Sequence, residues 1–82
     1  MNVAVFEACR RVGTQAALAR ALAVKPSTVN EWCLDESRVP VGRCVDIERI
    51  TGIPCEALRP DLVEFFTYLR THPIPVAEGL GA

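Results

Sequence analysis

The segment "VKPSTVNEW", residues 24–32, concentrates side chains suited to recognition rather than catalysis. The Asn30 amide can pair bidentately with adenine, Ser27 and Thr28 are short donors and acceptors, and Lys25 can reach guanine or a phosphate. Glu31 can accept from a cytosine amino group or repel a wrong register, and the Pro26 ring can meet a thymine methyl. Catalysis finds no foothold in the rest of the chain. The single histidine, His72, stands beside a proline near the end, no nucleophile has a base to activate it, and no glycine-rich phosphate loop occurs. Asp35 and Glu36 read as polar punctuation in a loop. The chain is therefore expected to be no enzyme and to carry no cofactor. Cys9, Cys33, Cys44 and Cys55 are separated by 24, 11 and 11 residues with no Cys-x-x-Cys pair, which favours small core hydrophobes over a disulfide or metal site.

A reading segment needs helices to hold it, and the sequence supplies them. Val5, Phe6 and Cys9 fall at helical spacing and Gly13 is a suitable stop, predicting a first helix over residues 3–12. Thr14 offers a side-chain oxygen as N-cap to "QAALARAL", predicting a second helix over 15–22. Pro26 fits the first turn of a third helix over 26–33, because its missing N–H would have no partner there. Val29, Trp32 and Cys33 then face inward, Trp32 as core rather than a stacking platform.

Pro40 marks a fourth helix in which Val41, Cys44, Ile47 and Ile50 recur, ended by Gly52 and kept from resuming by Pro54. "IPCEALRP" reads as a connection, "CEALR" being the one stretch able to pair as a short strand. Asp61 and Glu64 have capping-box spacing before an apolar stripe of Leu62, Phe65, Phe66 and Leu69, so a fifth helix should run from there and stop before Pro73. The fold class is an all-α, compact five-helix bundle with residues 1–72 as the domain and 73–82 as a flexible tail.

Eighty-two residues support one domain with a thin core. Half the residues are hydrophobic and 23% are charged, a globular rather than a disordered balance. Arginines interrupt the early apolar segment, so no membrane span or secretory leader is expected, and the protein reads as cytoplasmic. The net charge is -1, yet residues 1–43 hold six basic and four acidic side chains (+2) against three and six (-3) in the remainder. An anionic partner belongs on the first half.

The turn between the second and third helices is too short for antiparallel packing, so they should cross steeply as a helix-turn-helix. Ala19 is small where the third helix passes, Leu22 and Val24 plug the corner, and Val29 and Trp32 seal it. "GTQAALARALAVKPSTVNEWC", followed by "RVPVGRCVDIERITG" and "LRPDL", resembles the Cro-type helix-turn-helix regulators of prophages, specifically the YdaS-like antitoxin group, over residues 5–63. The resemblance implies a repressor-like fold that binds double-stranded operator DNA as a homodimer on a two-fold symmetric site. Carried onto matching positions, it places Lys25, Pro26, Ser27, Thr28, Asn30 and Glu31 on the base-reading face, and Gln15 where a phosphate commonly sits. Two departures stand out. Ala23 replaces the usual glycine of the turn, and Lys25 replaces a capping residue with an ammonium that cannot accept a backbone hydrogen bond.

Affinity must come largely from phosphate contacts. Gln15, Arg38 and Arg43, with the free N–H groups at the helix starts near Thr14 and Pro40, are the expected anchors. Arg38 and Arg43 could instead pair with Asp35, Glu36 or Asp46. Adjacent Phe65 and Phe66 cannot both point inward, so the stripe Leu62, Phe65, Phe66 and Leu69 is the expected dimer interface, supplementing the thin core. The function expected is a transcriptional repressor, nucleoid-associated when bound. Two alternatives stay open: an antitoxin that represses its own operon and neutralises a toxin protein, and a protein-interaction module that has lost DNA binding.

Overall fold

A computed structural model describes residues 1–72; the expected tail at 73–82 lies outside the described residues. The described residues form α1 (Val3–Val12), α2 (Gln15–Leu22), α3 (Pro26–Cys33), α4 (Val41–Thr51), α5 (Cys55–Leu58), a 3₁₀ turn (Pro60–Leu62) and α6 (Val63–Thr71). The first three helices have the bounds that capping and periodicity predict. Asn2 caps α1 by accepting from the Val5 N–H, and Thr14 caps α2 by accepting from the Ala17 N–H at 3.0 Å. Gly13 and Gly52 end α1 and α4 at positive φ, where an L side chain would crowd the carbonyl.

Two elements differ from expectation. The connection after Gly52 contains the one-turn helix α5, so the described bundle has six α-helices rather than five, and "CEALR" is helical rather than extended. Pro54 presets its first turn, and Glu48 reaches over from α4 to accept from the Cys55 N–H at 2.8 Å. The capping box at Asp61 does not form. Asp61 gives its oxygens to arginines, and α6 starts at Val63 after the 3₁₀ turn with no side-chain cap.

The core gathers Val5, Ala8, Leu18, Ala19, Leu22, Val29, Trp32, Val39, Ile47, Ile53, Leu58 and Phe66 with all four cysteines. Ile50, expected inside, is 44% exposed: a fourth-helix face wide enough for Cys44 and Ile47 turns it to solvent. Burial pushes the Cys9 thiol up to about 12 and those of Cys44 and Cys55 up to about 11, so these thiols are poor nucleophiles and act as core volume. No helix among the described residues is long and apolar enough to cross a membrane.

Arginines tie the helix ends together. Arg11 donates to the Thr51 carbonyl at the end of α4 at 2.8 Å, and Arg43 to the Leu22 carbonyl at the end of α2 at 2.8 Å. Arg70 of α6 grips both oxygens of Glu56 and reaches Glu48 at 2.7 Å, joining α4, α5 and α6. The Arg11 and Arg43 contacts place positive charge at carbonyl ends that helices leave unpaired.

Candidate nucleic-acid interface

The α2–α3 corner is built by a Schellman motif: the Val24 N–H donates to the Ala19 carbonyl (3.0 Å) and the Ala23 N–H to the Arg20 carbonyl (3.2 Å). This geometry demands a left-handed residue after α2, and Ala23 supplies it at φ 57°, ψ 41°. Alanine there carries the strain that the missing glycine implied. Helix α3 ends the same way: the Glu36 N–H donates to Glu31 (2.9 Å), the Asp35 N–H to Trp32 (3.3 Å), and Asp35 stands at φ 60°. Lys25 begins α3 without a side-chain cap, as its chemistry requires.

Helix α3 thus has two contrasting sides. Val29, Trp32 and Cys33 are buried, while Lys25, Pro26, Ser27, Asn30 and Glu31 are exposed and Thr28 is half-buried. Trp32 is core, 3% exposed. Among the described residues, the side chains of Lys25, Ser27, Thr28 and Asn30 make no hydrogen bond or ion pair; Glu31 has one long contact, accepting from the Ser37 hydroxyl at 3.4 Å. Elsewhere most charged side chains are engaged, so this face stands apart.

The expected phosphate anchors behave differently. Thr14 uses its oxygen as the α2 cap, which leaves its O–H free to donate outward. Gln15 is half-buried, its amide nitrogen 3.5 Å from the Cys33 sulfur. Arg43 caps the Leu22 carbonyl and lies 3.6 Å from Asp46, the pairing left open on sequence grounds. Arg38 pairs at 2.6 Å with a carboxylate 23 residues away, Asp61, rather than with Asp35 or Glu36. Two guanidiniums therefore meet on Asp61, and together with Arg59 first they hold its carboxyl well below the usual range.

Sequence reasoning missed Arg20. It is exposed on α2 less than one helical turn before the corner, and it has no acidic partner among the described residues. The signal was present: residues 8–30 contain Arg10, Arg11, Arg20 and Lys25 and no Asp or Glu. By contrast, four acidic side chains of the second half, Asp46, Glu48, Glu56 and Asp61, are paired with arginines. Among the described residues of that half, Glu64 is the carboxylate without an arginine partner.

On α6, Phe66 is 5% exposed and belongs to the core, with Phe65 edge-on to it at 5.5 Å and 48% exposed. Phe66 therefore contributes to the monomer rather than to an outer stripe. The exposed apolar side chains of α6 are Val63, Phe65 and Tyr68, of which only Phe65 was anticipated; Leu62 and Leu69 are half-buried.

Two crossed helices held by a tight corner, with one polar, unpartnered face on the second, define a helix-turn-helix domain. Residues 5–64 match the family described as bacterial toxin YdaS, and the chain belongs to that family. It is 44% identical over 71 residues to a protein of Escherichia coli strain K12 named "Putative transcriptional regulator YdaS", covering 84% of this chain and 70% of that one. The fold is similar to that of the Cro protein from "putative prophage element Xfaso 1" of Xylella fastidiosa strain Ann-1, with a TM-score of 0.65 and 43% identity over 74% of this chain and 94% of that one. The Cro-type and YdaS-like resemblance read from the sequence thus holds. The family bears the name of a toxin and the Escherichia coli protein that of a regulator; neither bears the antitoxin designation.

Proposed function

We propose that the chain is a sequence-specific DNA-binding transcriptional regulator, a Cro-like repressor that occupies a two-fold symmetric operator as a homodimer in the cytoplasm. The observation that carries this reading is the outward side of α3, where Lys25, Ser27, Thr28 and Asn30 find no partner among the described residues. Exposed donors and acceptors on a short helix beside a tight corner match the donor and acceptor pattern of base edges in the major groove. Asn30 would read adenine, and Lys25, Pro26, Ser27, Thr28 and Glu31 the flanking positions. Phosphates would be held by Thr14, Gln15, Arg38 and Arg43 with the N-termini of α2 and α4, and by Arg20. The regulator name of the Escherichia coli relative and the Cro name of the structural neighbour support the same role.

Selection from random duplexes followed by Asn30→Ala tests it. The variant should lose about 1–3 kcal/mol of discrimination at one base position while keeping its affinity for non-specific DNA. Absence of any enriched sequence with the wild-type chain overturns the proposal. The family's toxin name favours a second reading, in which this regulator works within a toxin–antitoxin pair. Growth arrest on expression of the chain alone would assign it the toxin side; suppression of a neighbouring gene product's toxicity would assign it the antitoxin side.

A further inference from the structure

The "LRPDL" stretch lies outside the recognition helix, yet it is wired to the loop that follows that helix. Asp61 takes Arg59 in a fork, Nε to Oδ1 at 3.0 Å and Nη2 to Oδ2 at 2.8 Å, so one arginine already neutralises the carboxylate. Arg38 adds a second guanidinium on the same Oδ2 at 2.6 Å. Two cations on one carboxylate leave the cluster at +1.

The two arginines are held unequally. The Arg59 side chain is 16% exposed, and besides the fork it donates to the Val39 carbonyl at 2.8 Å. The Arg38 side chain is 70% exposed, and among the described residues Asp61 is its one partner. Val39 is the residue between Arg38 and Pro40, the N-cap of α4. Arg59 thus fixes the backbone that carries Arg38, and Asp61 fixes its side chain.

Building on the DNA-binding reading, we propose that Arg59 positions the backbone of Arg38 for a phosphate contact while Asp61 competes for that contact: Asp61 parks Arg38 beside the α4 N-terminus and yields it to a phosphate oxygen when a duplex docks. The exchange leaves no carboxylate orphaned, because Asp61 keeps both bonds to Arg59. What is given up is one exposed ion pair, which costs little. Since phosphates carry no base identity, the device sets affinity and leaves specificity alone. Asp61 is then an internal competitor of the DNA backbone.

The test compares wild type, Asp61→Asn, Asp61→Ser, Arg38→Ala and the double variant Arg38→Ala/Asp61→Asn on a short random-sequence duplex across a salt series, with thermal melting to verify folding. Both Asp61 variants should bind up to about fivefold more tightly at low salt. The gain should be the same on every duplex, shrink as salt rises, and vanish when Arg38 is alanine. An equal gain in the Arg38→Ala background would mean that net charge alone is responsible and would overturn the proposal, as would unchanged or weaker binding by both folded Asp61 variants. If the wild type binds no duplex at any salt, the underlying DNA reading fails as well, whereas the first two outcomes leave it standing.

Discussion

Ala23→Gly should stabilise this protein, against the usual effect of introducing glycine. Ala23 stands at φ 57°, ψ 41° as the closing residue of the α2 Schellman motif, and both hydrogen bonds of that motif use backbone atoms, so glycine keeps them. An L residue in the left-handed region costs about 1–2 kcal/mol. Glycine recovers that cost but loses about 0.5–1 kcal/mol through the greater freedom of its unfolded chain. Ala23 is exposed, so removal of its methyl opens no cavity. The net gain spans about 0–1.5 kcal/mol with a middle of about 0.7 kcal/mol, for which Tm rises by about 3–6 °C in a domain of this size. Urea titration followed by far-UV circular dichroism should show a higher midpoint at unchanged slope. Asp35→Gly, at φ 60° after α3, should gain less, because a short polar side chain tolerates the left-handed region better. A lower midpoint for Ala23→Gly would refute the strain argument and mean that the alanine methyl makes a contact worth more than the strain.

The two phenylalanines should separate folding from association. Phe66→Ala should cost about 3–5 kcal/mol of stability through the cavity it leaves, while Phe65→Ala should cost about 1 kcal/mol from the lost edge-to-face pair and, in sedimentation, weaken the proposed homodimer. Acid should lower the stability of the protein in part through its arginine-bound carboxylates. The Arg10 and Arg11 guanidiniums hold Glu7 down to about 2 from an ordinary 4.5, and Glu48 is lowered by the Cys55 N–H and Arg70. A depressed folded-state pKa gives stability that is complete above the ordinary value and lost as pH falls towards about 2. Glu7→Gln should flatten urea midpoints measured between those limits; an unchanged pH profile would count against the Glu7 contribution.

Much of the helix-turn-helix architecture was legible because its signals are local. Thr14, Gly13, Pro26 and Gly52 act through the backbone within a few residues, so helix bounds followed from residue type. The inward set Val29, Trp32 and Cys33 followed from helical spacing, and its complement gave the polar face. Helix α5 was not legible: four residues are too few to show a period, and its support is Glu48, from another helix.

Local residue types set the first four helices, the alanine in a glycine's place, the uncapped start of α3 and the polar side chains it presents. How the charges pair followed from the packing of the helices on one another. Whether Arg38 waits on Asp61, whether Arg43 caps Leu22, and whether Phe65 or Phe66 enters the core depend on contacts between residues distant in the chain or on which way α6 rolls. Spacing along one helix fixes a face, whereas ion pairing across helices depends on distances that only the packed chain sets. The polar face of α3 belongs to both: its residue types were written in the sequence, and that its side chains lack partners among the described residues emerged only from the packed chain.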